Sequence, residues 1–292
     1  MELHQLRYVV AVARTGNFSR AAEQCHITQP TLSQQVQKLE DELGERLFER
    51  LNRRVRPTTA GETFIPRAAR ILDEVEAAQR ELMDAQDRVH GRFNLGVIPT
   101  IAPYLLPRIL PSYMQEFPGV ALTVNEEKTE RLLKLALACE IDLSIASLPL
   151  DDARFETETL FEEELKLAIP EGHRLLKKKA LRAADLEEER FVLMKDGHCL
   201  GDQVLSFCQK RDLRPSVTCR SAQIETLQTL VVAGLGISLV PLMACHEGRP
   251  GSPVFRSLED PKPHRVIVAM WPKNRPLGRP AREFLKLLRT KV

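Results

Sequence analysis

Apolar residues recur along this chain with three rhythms, and each predicts a different kind of element. Leu3, Leu6, Tyr8, Val9, Val10, Val12 and Ala13 predict an amphipathic helix stopped at Gly16. Asn17 or Ser19 then caps a short helix, Arg20-Ala21-Ala22-Glu23-Gln24, whose alanines allow close packing, and Cys25-His26-Ile27 forms a turn. Thr28 caps a third helix opening with Gln29-Pro30, where proline's missing N–H costs little. On it Leu32, Val36, Leu39 and Leu43 face inward, while Gln29, Thr31, Ser33, Gln34 and Gln37 face outward. From Phe64 the rhythm is heptad: Phe64, Ala68, Ile71, Val75, Ala78, Leu82, Ala85 and Val89 follow in alternating steps of 4 and 3 between charged flanks. That is the seam of a dimerising coiled coil, with Pro66 removing one backbone bond near its start.

Beyond His90-Gly91-Arg92 the apolar residues come in short runs. Phe93–Ile98, Val120–Val124, Leu143–Ala146, Leu165–Ile169, Phe191–Met194, Ile237–Val240 and Val266–Met270 read as strands between helical segments, the last helix covering Pro280–Leu288. This order predicts an α/β module with largely parallel strands, and ligands of such sheets sit on loops at the carboxyl ends of strands. Three loops stand out there: Pro99-Thr100, Lys128-Thr129-Glu130 and Gly197-His198-Cys199. By residue type alone Thr100 and Thr129 read as helix N-caps. The expected organisation is α+β overall, with a DNA-binding region over 1–57, a linker helix over 58–90 and an α/β module over 91–292. Within that module one subdomain takes about 91–163 and 268–292, and the other about 164–267.

Composition narrows the picture. The 292 residues are 43% hydrophobic and 28% charged, which suits a soluble globular protein of about two domains. No signal-like segment opens the chain, and the apolar run Leu230–Ala244 is interrupted by Gly234, Gly236 and Pro241, so a cytoplasmic location is expected. No cofactor or metal is expected. A net charge of +2 leaves nucleic-acid affinity to local patches. One such patch runs from Arg46 to Pro57, with five arginines, Arg53 among them, and one glutamate. It reads as a basic wing able to bind phosphates or enter a minor groove, beside a third helix whose short polar side chains suit a major groove.

The least expected stretch is Lys195-Asp196-Gly197-His198-Cys199-Leu200-Gly201-Asp202-Gln203, closed by Phe207-Cys208. It sets Cys199 on a glycine-loosened turn at a helix start, where the helix dipole favours thiolate, the form that attacks peroxides. Cys208 follows nine positions later. Six cysteines in a chain this long are no disulfide framework, and in a reducing compartment a pair is more often sensing or catalytic than structural. The same residues also read as two buried thiols on a helix, with Cys25, Cys139, Cys219 and Cys245 structural or incidental. Three functions therefore compete: a regulator sensing an oxidant, a regulator with a small organic inducer and inert cysteines, and a thiol peroxidase. A recognition helix argues against the last.

Several motifs carry a family resemblance. Phe18-Ser19-Arg20-Ala21-Ala22, Thr28–Val36, Leu39-Glu40, Leu43-Gly44, Leu47-Phe48-Glu49-Arg50 and Thr58-Thr59-Ala60-Gly61 resemble the N-terminal domain of LysR-type transcriptional regulators nearly without gaps. Ala233–Pro241 resembles a late segment of that family's effector module. The resemblance implies a winged helix-turn-helix, a long dimerising linker helix and a two-subdomain effector module like periplasmic binding proteins. It implies DNA binding through Gln29, Pro30, Thr31, Ser33, Gln34 and Arg53, on a partly palindromic duplex, as a dimer or tetramer that contacts RNA polymerase. Asp196–Leu200, Asp202-Gln203 and Phe207-Cys208 further resemble the redox motif of the family's peroxide-sensing members. By that resemblance hydrogen peroxide is the effector, Cys199 the peroxidatic and Cys208 the resolving residue. Thr100, Thr129, His198, Asp202 and Arg265 would line the peroxide pocket. A helix joining the two cysteines would hold them roughly 13 Å apart. A disulfide needs about 4.4–6.8 Å between Cα atoms, so oxidation would have to refold the segment.

Overall fold

The first helix, α1 (Leu3–Thr15), buries Leu6, Val9, Val10 and Val12 and ends at Gly16, whose φ of 62° is the left-handed conformation glycine tolerates. In the computed structural model, residues 1–51, 54–83, 89–246, 248–259 and 261–291 are described. The chain divides into two compact units, Met1–Arg88 with Leu137–Glu140, and Val89–Ala136 with Ile141–Val292. Among the described residues no helix is long and apolar enough to cross a membrane.

In the first unit Asn17 is the cap of α2 (Phe18–Gln24), its side-chain oxygen accepting from the N–H of Ser19 and of Arg20. The helix α3 (Gln29–Leu43) buries Leu32, Val36 and Leu39, but Leu43 is 38% exposed, because the helix stops one residue later at Gly44. Thr28 stands at the N-cap position without capping: its hydroxyl meets that of Thr31 at 2.8 Å. Strands β1 (Phe48–Leu51) and β2 (Arg54–Pro57) form the antiparallel wing, and Arg53 lies outside the described residues. Glu40 anchors the wing, its Oε1 accepting from the N–H of Leu47 (2.7 Å) and Phe48 (3.2 Å).

The helix α4 (Thr59–Met83) runs on through Pro66. Of its heptad positions Ala68 is buried, Phe64 and Val75 are half-buried, and Ile71 is 40% exposed. Ala85 and the side chains of Ala78 and Leu82 lie outside what is described.

The second unit contains β3 (His90–Val97), α5 (Ala102–Glu116), β4 (Gly119–Glu126), α6 (Thr129–Leu137), β5 (Leu143–Ser147), β6 (Phe155–Ile169) and β7 (Arg190–Met194). It continues with α7 (Cys199–Gln209), β8 (Ser216–Ser221), α8 (Ile224–Val232), β9 (Ser238–Pro241), β10 (Val254–Arg256), β11 (His264–Pro272) and α9 (Arg279–Lys291). Strands β3, β4 and β5 pair in parallel, as do β7 and β8. The expectation of largely parallel strands fails at β6 and β11. These two pair antiparallel with each other, and β11 with β5, while β9 and β10 lie antiparallel on β6. The physical reason is reach. The apolar run around Leu165 signals only the end of β6, whereas the charged first half, Phe155–Glu164, takes its strand form from β11 and not from its own composition. A bulge between Ile267 and Val268 interrupts that pairing.

At the start of α4 the chain turns against the wing: the Thr58 hydroxyl accepts from the Gly61 N–H at 3.0 Å, and a Cβ on Gly61 would lie 2.1 Å from the Leu47 carbonyl oxygen. A backbone atom cannot swing aside as a side-chain tip can. Gly61→Ala should therefore cost about 1–3 kcal/mol in urea unfolding, in the range of an overpacked core. A variant as stable as the parent would show that the turn relaxes freely.

Candidate functional site

Three strand-to-helix loops of the second unit meet at one point. The loops leading into α5, α6 and α7 bring Ile98, Pro99, Thr100, Lys128, Thr129, Gly197, His198 and Cys199 around a cavity of about 10 Å³. That volume admits the centre of one water-sized molecule. Cys199 is the first residue of α7 and is half-buried, and its Sγ shares a hydrogen bond of 3.0 Å with the Thr129 hydroxyl. Thr129 thus serves the sulfur. Thr100 is no N-cap either, because its hydroxyl and carbonyl oxygens accept from the Arg265 guanidinium at 3.1 and 3.2 Å.

Arg265 enters from β11 and is 2% exposed. Its Nε donates to Glu163 Oε2 at 2.8 Å across β6, the two residues standing directly opposite in the strand register. Glu163 is itself buried, and its Oε1 accepts from the Met243 N–H at 2.7 Å. Burial pulls Arg265 below the ordinary arginine pKa, while Glu163 beside it and the nearby Cys199 favour its charge. The guanidinium is therefore a fixed cation within Coulombic reach of the sulfur.

His198 is buried, and its pKa is lowered, first by that burial and then by Lys128, with Asp202 opposing. At neutral pH it is a neutral imidazole. The positive charge facing the sulfur comes from Arg265 and not from a protonated histidine. Asp202, expected in the pocket, is exposed on the first turn of α7 and does not line the cavity, and Arg265, also expected there, reaches it only through Thr100. Cys208 lies on the same helix, fully buried beside Leu200, Val204 and Phe207, with its pKa pushed up to about 11 by burial. None of the six cysteines is disulfide-bonded. Gln203, between the pair, donates to the Ser147 hydroxyl and the Leu148 carbonyl, both at 2.7 Å, fastening α7 to the end of β5.

On the first unit Gln29, Pro30, Thr31 and Gln34 are exposed at the start of α3, and Ser33 is half-buried. This is the outward polar face of the second helix of a helix-turn-helix. No group of side chains among the described residues is arranged to hold a metal ion.

Comparison with known proteins matches both units. Residues 3–62 match the bacterial regulatory helix-turn-helix proteins of the lysR family, and residues 86–292 match the LysR substrate binding domain. The chain belongs to the LysR family. It is accordingly a DNA-binding transcriptional regulator and not an enzyme. It is 35% identical over its whole length to the DNA-binding transcriptional dual regulator OxyR of Escherichia coli, covering 96% of that protein. It is likewise 35% identical to the hydrogen peroxide-inducible genes activator of Dickeya chrysanthemi, over 95% of this chain and 91% of that one. Among solved structures, full-length OxyR C199D from Pseudomonas aeruginosa matches with a TM-score of 0.84 at 33% identity, covering 100% of this chain and 99% of that one.

Within this LysR-type chain, sequence reasoning missed Glu163, the partner that lets Arg265 stay charged inside the protein. It sits in the run Glu162-Glu163-Glu164, which reads as solvated surface. Only alternation along a strand separates its buried carboxylate from that of the exposed Glu162. Glu163→Ala should leave a buried cation unpaired and cost about 3–5 kcal/mol, with much of the loss recovered in Glu163→Met/Arg265→Met. Equal stability of Glu163→Ala and the parent in denaturant would refute the buried pair. A second expectation concerns His198. Because its folded pKa is lowered, the unfolded chain takes up the proton first. Stability should therefore fall with pH through the ordinary histidine range, about pH 7 to 5. That slope should be shallower in His198→Asn; matching slopes would exclude His198 as the source.

Proposed function

We propose that this regulator senses hydrogen peroxide by oxidation of Cys199 and resolution by Cys208, and that the refolding of α7 changes how the paired DNA-binding units sit on their operator. The observation that carries this reading is Cys199 at the start of α7, hydrogen-bonded to Thr129 at the cavity, with Cys208 buried on the same helix. The polar groups that line the cavity around the sulfur, Thr100, Thr129 and His198, suit a small oxidant that hydrogen-bonds. The names of the relatives, hydrogen peroxide-inducible genes activators, support the same effector, as does an OxyR mutant of Corynebacterium glutamicum with hydrogen peroxide bound, 31% identical over 99% of this chain with a TM-score of 0.67.

The chemistry needs two steps. The Cys199 thiolate attacks one peroxide oxygen and the O–O bond breaks. Sulfenic acid forms at Cys199, and the departing hydroxide takes up a proton to leave as water. Arg265, through its own charge and its hold on Thr100, together with the Thr129 hydroxyl, stabilises the negative charge that develops on the departing oxygen. The Cys208 sulfur then attacks the sulfenic sulfur, the disulfide forms and a second water leaves. In the reduced fold this second step is blocked. The two residues are nine apart on one helix, roughly 13 Å between Cα atoms. Burial also keeps the Cys208 thiol protonated. Unwinding α7 removes both obstacles together, releases Gln203 from Ser147 and Leu148, and moves residues of a close-packed core.

The output runs through DNA. The seam on α4 leaves Ile71 exposed in the single chain, as a dimer contact requires, and dimers present two α3 helices to a two-half-site, partly palindromic operator. On this reading residues 58–90 are the linker, and the two halves of the sensor module part near the β11 bulge. Gln29, Pro30, Thr31, Ser33, Gln34 and Arg53 contact DNA, and RNA polymerase is the partner of the DNA-bound form.

Sulfenate trapping in Cys208→Ser tests the first step: Cys199 should be labelled far faster than free cysteine, and labelling at another thiol would remove it as the sensor. Footprints of reduced and peroxide-treated protein should differ in length or spacing, with Cys199→Ser held in the reduced pattern. Identical footprints despite a disulfide confirmed by mass spectrometry would mean that the bond does not signal. Ile71→Asp/Val75→Asp should yield monomers that fail to bind the operator, since charge buried at an interface without a partner is costly. Light scattering of that variant as a dimer would place the main interface elsewhere.

A further inference from the structure

Lys128 is a residue that the two-step chemistry leaves unused. Its carbonyl oxygen accepts from the N–H of Arg131 (2.9 Å) and Leu132 (3.0 Å), so it stands at the start of α6 immediately before Thr129. Its side chain crosses to the neighbouring loop, where Nζ donates to the Asp196 carbonyl oxygen at 3.0 Å. A Cβ on Gly197 would lie 3.3 Å from that Nζ and 3.5 Å from Cδ, so the lysine runs alongside the turn. Gly197 has φ of 82° and no side chain of its own to pack. The turn is gripped from outside instead, with Lys128 on the Asp196 carbonyl and Arg220 on the Asp196 carboxylate at 2.7 Å.

We propose that Lys128 is a positioning residue of the Cys199 site: its ammonium ties the β7–α7 turn to the start of α6 and so sets the Cys199 sulfur against the Thr129 hydroxyl. Two contacts, Lys128 to Asp196 and Thr129 to Cys199, bridge the same pair of loops with consecutive residues on one side. Without the first, the second alone must hold the sulfur. Misplacement of a reacting atom by about 1 Å can cost on the order of a hundredfold in rate. The same ammonium acts on His198, whose proton affinity it lowers after burial does. The other charged group acting on that imidazole is Asp202 on α7, which opposes, while Cys199 beside it lines the same cavity. His198 therefore reports where the ammonium sits. The proposal rests on the peroxide reading only for the reaction being positioned.

The experiment uses the full chain carrying Cys208→Ser, with Lys128→Met, Lys128→Arg, Thr129→Val and the double variant Lys128→Met/Thr129→Val. Cys199 is followed by sulfenate trapping with hydrogen peroxide and by alkylation with iodoacetamide, and His198 by its NMR titration. Lys128→Met should slow sulfenate formation by about tenfold, and Lys128→Arg should restore it to within about threefold. The double variant should be no slower than Thr129→Val alone, because Lys128 acts on the sulfur only through the Thr129–Cys199 contact that Thr129→Val already removes. The His198 midpoint should rise in Lys128→Met and stay in place in Lys128→Arg. Multiplying losses in the double variant, or an unmoved His198 midpoint, would overturn the clamp. Should Cys199 of the parent react with peroxide no faster than free cysteine, the peroxide reading falls. The iodoacetamide rates and the His198 midpoint then still decide Lys128.

Discussion

A guanidinium buried in the second unit must be matched or it cannot stay, and much of the site follows from how Arg265 is matched. Taking two charges out of water costs several kcal/mol per ion, recovered only when geometry and further hydrogen bonds are good. Here Glu163 faces Arg265 across the β6–β11 pairing at 2.8 Å, and each partner spends its remaining capacity on a neighbour. Glu163 takes the Met243 N–H, and Arg265 gives two bonds to Thr100. Hydrogen-bond networks of this kind are rigid when complete. One wall of the cavity is thereby fixed by a pairing made at the sheet, and Cys199 faces a charge that does not titrate.

On the proposed reading the opposite wall is the part that changes. Helix α7 holds Cys199 at its first turn and Cys208 in its core-facing stripe with Leu200, Val204 and Phe207. Fully burying an apolar side chain of that size contributes about 1.5–3 kcal/mol, so the helical form is well supported. Gln203 toward β5 and Arg211, stacked 4.0 Å over the Phe207 ring, add to it. A covalent bond between the two sulfurs requires that this arrangement be given up. On that reading the switch is an exclusion between two packings rather than a gradual adjustment, with trigger and moving element on the same eleven residues.

The first unit shows the contrasting design, in which polar contacts within and next to the wing hold one arrangement. Glu40 holds the backbone leading into β1, Thr58 ties the start of α4, and Gly61 lets that turn touch the Leu47 carbonyl. The exposed face of α3 is left polar and unobstructed, while its buried face packs Leu32, Val36 and Leu39.

What the sequence by itself determined was everything decided within a few residues. The stop at Gly16, a cap at Asn17 or Ser19, the two faces of α3 and the placing of Cys199 at a helix start follow from spacing and residue type, because helix periodicity and caps act over one or two turns. That Thr100, Thr129 and Cys199 share one cavity was legible from the residues only as three loops at strand ends, and as one pocket only through the family resemblance. Tertiary structure decided the rest. Glu163 and Arg265 are 102 positions apart, and only sheet register sets them face to face. Thr100 and Thr28 have the residue type of N-caps, yet each hydroxyl found another partner. Asp202 shares the redox motif but points to water, and Leu43 continues an inward spacing beyond the end of its core. At Thr100 a local preference worth a fraction of a kcal/mol to about 2 kcal/mol met a partner 165 positions away, and in a close-packed interior that constraint prevails, whereas the competitor at Thr28 is Thr31 on the same turn.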